Sequence, residues 1–293
     1  WVNELNHRSR EINANKRIIY IYITMRSLNP LFHAHQFSTC APVTNIQTFL
    51  QKTKTYHPGR QETAIIHGQH MLDLLIPMCS DSGVDSIVSP FFTRISMERK
   101  LSHWDSLANS KTHKATSHLP TLDARGMHFF SPSVGIDGGS HQEVALAFSH
   151  CLSKHLPEDK VHRTTFPDFL SFLRQQLTGW QDKRRSDMMT PDLQEQDLDG
   201  GDNDPIMPVV DAISNHCWVL QLDDWNVASV TDAMLIRRVF TRLFNSGTFI
   251  VSSGNVPIDQ FQSTTIQESK YLQTQQLLRK RMFSTTLGET STS

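Results

Sequence analysis

Short apolar runs and helix-spaced apolar stripes alternate along the second half of the chain. Residues 127–130 read MHFF, the glycine-bearing loop SPSVGIDGGS follows, and HQEVALAFSHCLSKH then sets Val144, Phe148, Cys151, Leu152 and His155 at three- and four-residue spacing. That order predicts strand, loop and helix, the opening of a βα unit. Residues 160–177 predict a strand start and then a helix over FPDFLSFLRQQL, with Phe166, Phe169, Leu170, Leu173 and Leu177 on one face. CWVLQL (217–222) predicts a second buried strand, ending in Asp223 and Asp224. Asp232 is the expected cap of a helix that buries Leu235, Ile236, Val239, Phe240, Leu243 and Phe244, turns Arg237, Arg238 and Arg242 outward, and stops at Gly247. TFIVSS is the next strand and runs into Asn255, and SKYLQTQQLLRKRM predicts a basic helix. Upstream, residues 61–79 predict a short helix with Ile66, Met71, Leu74 and Leu75 on one face, whereas residues 80–119 carry little pattern.

Strands alternating with helices predict an α/β fold, a parallel sheet covered on both faces. Its site is expected at the carboxyl ends of the strands, where the glycine loop, Asp223, Asp224 and Asn255 all fall. The chain divides into an N-terminal extension (1–60), a helical part (61–120), the α/β core (121–262) with a polar insertion at 181–203, and a C-terminal helical tail (263–293).

Composition narrows the classes. Hydrophobic residues make up 38% and charged residues 19%, which suits a globular protein, and the formal net charge of −1 lacks the basic excess of a nucleic-acid binder. No specific DNA partner is expected. The four cysteines, Cys40, Cys79, Cys151 and Cys217, form no CxxC pair, which argues against a zinc module or a disulfide framework. No apolar run approaches the roughly 20 residues of a membrane-spanning helix. Residues 12–61 contain no acidic residue, while Lys16, Arg17, Arg26, Lys52, Lys54 and Arg60 are basic. From Met25, MRSLNPLFHAHQFST has the acid-poor, Ser/Thr-bearing composition of a mitochondrial targeting segment; the plain alternative is a polar arm.

The candidate chemistry begins at the glycine loop. A phosphate-binding P-loop reads GxxxxGK[ST]: backbone N–H groups cradle the phosphates, the lysine neutralises them, and the hydroxyl holds Mg²⁺. Here residues 133–140 read SVGIDGGS. Gly138 and Ser140 are in register, Ser133 stands at the first glycine, Gly139 stands at the lysine, and Gly135 lies within the loop. Downstream, VLQLDD ends an apolar strand in two carboxylates, the first suited to ordering Mg²⁺ and the second to polarising a water. Asn255 ends the next strand, where a polar side chain would sense a terminal phosphate. An ordinary strand-to-helix turn and solvent-facing aspartates are the plain readings of the same residues. His67, His70 and Asp73 have an i, i+3, i+6 spacing that could face a metal on one helix, but fifteen histidines make such coincidences common, and DLDGGDND (197–204) lacks the spacing and closing Glu of a calcium loop.

Taken in order, these segments resemble the AFG-type AAA ATPases, the family of ZapE and the lactation-elevated proteins. Its members carry DP-x-P, FDEF, DAM-x-x-x-R-L-F and TSN-x-P segments. The counterparts here are Asp204-Pro205, Leu222-Asp223-Asp224-Trp225, Asp232-Ala233-Met234 with Arg238-Val239-Phe240, and Ser253-Gly254-Asn255-Val256-Pro257. Lys160-Val161-His162 with Phe166 resembles the family's R-V-H-F-H-x-F segment. The resemblance implies a three-layer P-loop NTPase core of AAA type, with ATP and Mg²⁺ as cofactors. Ser133, Gly135, Gly138, Gly139 and Ser140 would hold nucleotide, Ser140 and Asp223 the metal, and Asp223, Asp224 and Asn255 would act on the γ-phosphate.

The departures from the family pattern cluster at that site. Gly139 replaces the lysine and Ser133 a glycine, Asp137 puts a carboxylate in the cradle, Asp224 stands for Glu, Ser229 for Asp, and Glu268 for an arginine. The expectation is therefore a relic site, with ATP and Mg²⁺ absent or weakly bound, in a mitochondrial protein of the matrix or inner-membrane surface. Its implied role is a structural or assembly part of a multiprotein complex, an inner-membrane respiratory complex or the mitoribosome. Two alternatives stay open: an active ATPase in which Arg125 or Arg163 replaces the lysine, and a module that binds ATP without hydrolysing it.

Overall fold

Among the described residues five short strands carry the sheet, and every pairing between them is parallel. In the computed structural model the described residues are 45–80, 119–120, 124–132, 140–157, 160–188, 206–260 and 268–288; Met78, Ser80, Ser140, 180–188 and 268–270 are described by backbone alone. All described residues belong to the unit Pro42–Ser293. The strands are β1 (Gly126–Phe130), β2 (Val161–Thr165), β3 (Val219–Asp223), β4 (Phe249–Gly254) and β5 (Met282–Thr286), in the order β2-β3-β4-β1-β5. The glycine loop follows β1 and the two aspartates end β3, with β4 inserted between them. Strands β3 and β4 are buried along their whole length, as expected where helices cover the two faces of a parallel sheet.

Helices α1 (Ile46–Thr53), α2 (Glu62–Ser80) and α3 (Ser140–Ser153) cover one face. Phe148 of α3 lies between Phe129 of β1 and Phe249 of β4, at ring-centre distances of 5.8 and 6.1 Å. The opposite layer holds α4 (Phe166–Met188), α5 (Ile206–His216), α6 (Val230–Asn245) and α7 (Glu268–Arg281). There Trp225, just beyond β3, meets Phe166 at 4.4 Å and Phe240 at 5.8 Å. The three layers, helices on sheet on helices, are those of the expected α/β fold.

Several local expectations are corrected. Helix α1 lies within the stretch read as an N-terminal extension, yet Ile46 and Leu50 are fully buried in the core and Asn45 caps the helix by accepting from Thr48 N. On α2 the buried residues include Ala64, Ile65, Met71, Leu72 and Leu75, whereas Ile66 is 53% exposed, because α1, α3 and β5 all press on a face rotated from the expected one. Helix α4 continues to Met188, into the stretch read as an insertion; 189–205 lie outside the described residues. The N-cap of α6 is Ser229, not Asp232: Ser229 Oγ accepts from Asp232 N at 3.1 Å and donates to Asp232 Oδ2 at 2.6 Å. Asp232 is itself buried and ion-paired with Arg174 of α4. Leu235 is half-buried, and Arg237 and Arg242 reach neighbours, Gln273 of α7 and Asp211 of α5.

The tail departs most from expectation. It is helical only to Arg281, after which Met282–Thr286 forms β5 beside β1. His67 of α2 bonds Thr285 Oγ1 at 2.8 Å and stands edge-on to Phe283, so this histidine docks the α2 layer onto β5. The sequence pattern missed the strand because only Met282 and Thr285 of its five residues are buried.

Close strand packing yields a paired stability prediction. A Cβ on Gly126 would lie 2.6 Å from Ile250 O and 3.0 Å from Met282, so Gly126→Ala should destabilise the fold by about 1–3 kcal/mol. A Cβ on Gly179, exposed in α4, would meet nothing within 4 Å, so Gly179→Ala should stabilise it by roughly 0.5–1 kcal/mol. Thermal or urea unfolding of the two variants should therefore move in opposite directions.

Candidate functional site

The carboxyl edge of the sheet is built around Asp223. Residues two apart share a face of a strand, so Gln221 and Asp223 of β3 point the same way, toward α3. Gln221 pairs in register with Arg163 of β2, and Leu222 with Ser252 of β4, which sets Ser253 beside Asp223. The Asp223 carboxylate collects all three neighbours. Its Oδ1 accepts from Gln221 Nε2 at 3.0 Å and Ser253 Oγ at 2.9 Å, and its Oδ2 from Arg163 Nε at 2.5 Å. The aspartate is 5% exposed, so a charge here needs these donors.

Asp224 turns away from that cluster. Its φ of 59° is left-handed, a conformation aspartate tolerates better than most residues, and it carries the exposed carboxylate across to α3, where Oδ1 accepts from Gln142 Nε2 at 2.6 Å. Beside Gln142, His141 is buried, and its Nδ1 has no hydrogen-bond partner. Burial holds its pKa below the ordinary value, against the pull of Asp224 and Asp223. The two carboxylates thus do different work: one locks three strands together, the other links β3 to α3.

The exit of β4 is shaped by packing. Trp225 N donates to Ser253 O at 2.8 Å, and a Cβ on Gly254 would lie 2.9 Å from Trp225 O, so only glycine fits without displacement. Beneath this contact sits His128 of β1, fully buried. Its Nε2 lies 2.8 Å from Val256 O, an acceptor only, so Nε2 carries the proton and Nδ1 accepts from Ser252 Oγ at 2.8 Å. His128 therefore ties the strand before the glycine loop to the segment that follows Asn255. Asn255 itself is exposed at the end of β4.

Asp223, Asp224 and Asn255 are thus brought to one edge, on adjacent strands. Ser133, Gly135, Asp137, Gly138 and Gly139 lie outside the described residues; Ser140 opens α3, and Glu268 opens α7 by backbone position. Of the two arginines considered as substitutes for the lysine, Arg125 lies at the wrong edge. It precedes β1 and donates from Nη1 to Phe244 O near the end of α6. Arg163 is at the correct edge but engages Asp223. The sequence pattern gave no role to Gln221, Ser253, His128, His141 or Gln142; the available signals were Gln221 and His128, each a polar residue inside an otherwise apolar run.

The sequence model of the AFG1-like ATPase family matches residues 121–286, which carries the core past the expected boundary at 262 and through β5. The cell division protein ZapE of Escherichia coli is 26% identical over 157 residues, 54% of this chain and 34% of ZapE. Lactation elevated protein 1 homolog B of Danio rerio is 28% identical over 69 residues, 24% of this chain and 14% of that protein. The match therefore spans well under half of either relative's length. Among solved structures, the DnaC helicase loader aligns with a TM-score of 0.31 and 13% identity, over 64% of this chain and 99% of its own.

The buried imidazole of His128 makes a pH prediction. Desolvation lowers its pKa from 6.5 to about 4, outweighing the Val256 and Ser252 hydrogen bonds; His141 adds to the lowering and Asp259 opposes it. The unfolded chain then takes up this proton near pH 6.5 while the folded chain resists until about pH 4. The stabilisation is complete above pH 6.5 and falls as pH drops toward 4, by up to about 3 kcal/mol. Urea melts between pH 7.5 and 4.5 should show that loss, and His128→Asn should flatten it.

Proposed function

The chain belongs to the AFG1-like ATPase family, and from that premise we propose that its nucleotide chemistry has decayed and that it serves as a non-catalytic structural or assembly component of a mitochondrial protein complex. The observation that carries this reading is Gly139, which follows the second glycine of the loop where a P-loop needs lysine. A charged hydrogen bond contributes roughly 1.5–3 kcal/mol, so its loss alone weakens phosphate binding by about tenfold or more. Asp224 in place of Glu withdraws the second carboxylate by one methylene, and a displacement near 1 Å can cost on the order of 100-fold in rate. Loss of an arginine at Glu268 removes a group of the kind that contributes about 10³-fold to phosphoryl transfer. These changes run in one direction. Phosphoryl transfer asks mainly for positioning and positive charge, and in sequence the positions aligned with the family's site have exchanged cations for carboxylates.

A mitochondrial setting is supported by the acid-free stretch 12–61, whose basic and hydroxyl-bearing residues fit a targeting segment. The partner is proposed to be a multiprotein complex, an inner-membrane respiratory complex or the mitoribosome, and the location the matrix or the inner-membrane surface. Among the described residues no helix is long and apolar enough to cross a membrane. A second reading, an ATPase with an atypical P-loop, draws support from the retained position of Asp223 at the end of β3 next to β4.

Steady-state hydrolysis separates the two readings. The purified chain should turn over ATP far below the roughly 1 s⁻¹ of working enzymes, with a background that Asp223→Asn leaves unchanged. Turnover near that rate, abolished by Asp223→Asn, would establish the atypical ATPase instead. Localisation is checked apart from catalysis: residues 25–61 fused to a fluorescent reporter should direct it to mitochondria, and a cytosolic reporter counts against the proposed setting.

A further inference from the structure

A divalent cation at this edge would need the Asp223 carboxylate, and that carboxylate is already taken up by the protein. Gln221, Ser253 and Arg163 donate to its two oxygens at 3.0, 2.9 and 2.5 Å. Magnesium demands a near-octahedral shell of oxygens at about 2.0–2.1 Å and keeps several waters. A carboxylate that is 5% exposed, with both oxygens turned into N–H and O–H donors, does not fit that demand. The guanidinium also repels a second cation at the same oxygens, and that repulsion grows as water is excluded.

The placement of Arg163 follows from the sheet. Arg163 sits opposite Gln221, on the strand face that two residues later sets Thr165 opposite Asp223. A long side chain spans this diagonal, and its stem is partly covered, with 29% of the side chain exposed against 7% for Asp223. Gln221, buried beneath the pair, bonds the other oxygen and fixes the carboxylate's rotation. The arrangement is a closed ion pair with its own support.

We infer that Arg163 is the resident cation of this edge: its guanidinium stands at Asp223 in place of a divalent ion and excludes divalent ions from that carboxylate. The inference deepens the proposed decay of the nucleotide chemistry, and its test uses no nucleotide, so either can fail without the other.

The probe is Mn²⁺, titrated into the full chain and followed by the electron paramagnetic resonance signal of the free ion. The wild-type protein and Asp223→Asn should give the same curve. Arg163→Gln should gain a site at least about tenfold tighter than any in the wild type, and Arg163→Gln/Asp223→Asn should lose it. Arg163→Met, which keeps the apolar stem, should reproduce the gain, with circular dichroism melts reporting that each variant folds. A wild-type Mn²⁺ site removed by Asp223→Asn overturns the inference, and this comparison stands even if neither arginine variant folds. Folded Arg163→Gln and Arg163→Met that bind no more Mn²⁺ than the wild type overturn it as well.

Discussion

A nearly buried carboxylate must be paired, and at Asp223 that requirement fixes the registration of three strands. The donors come from β2, β3 and β4, so none of these strands can slip without leaving a charge uncompensated in a poorly solvated place. Removing one partner of such a pair is costly, on the order of 3–5 kcal/mol, chiefly because of the charge left behind. The same contacts that hold the strands therefore decide what the edge can bind. A carboxylate committed to closing the sheet is not free to organise a ligand's counter-ion.

Around this hub the fold uses neutral, geometric devices. His128 stays uncharged because its complete burial outweighs the hydrogen bonds at its two ring nitrogens, and it links β1 to the turn beyond β4. Trp225 fills the gap between α4 and α6, and its backbone passes so close to β4 that Gly254 must lack a side chain. The exit of each central strand is thus set by packing from the α6 layer as well as by hydrogen bonds along the edge.

The C-terminal segment belongs to the core. Helix α7 is pinned to α6 by Thr274 Oγ1, which donates to Ala233 O at 2.9 Å, and to the segment after β4 by the ion pair of Arg279 with Asp259. It then delivers β5 to the free side of β1, where Arg125 N donates to Arg281 O and Leu287 N to Phe130 O. The strand that leads into the glycine loop is consequently flanked on both sides, by β4 and β5.

The sequence by itself determined the alternation of strands and helices, the parallel sheet, and the arrival of Asp223, Asp224 and Asn255 at one edge. Apolar periodicity and strand direction are local properties, and a parallel sheet sends every strand end to the same side. It also determined that no lysine follows Gly138, a matter of residue identity alone. Only the tertiary structure decided that Arg163 closes on Asp223, that Arg125 lies at the opposite edge, and that His128 is a neutral tie. Each depends on contacts between residues 60 to 128 positions apart or on which end of a strand a residue occupies. The same holds for Ser229 as the cap of α6 and for β5. A cap is settled by which side chain reaches a free N–H of the helix's first turn, here Ser229 Oγ at Asp232 N. A half-buried five-residue strand has too little apolar pattern to be read until β1 supplies its hydrogen-bonding partner.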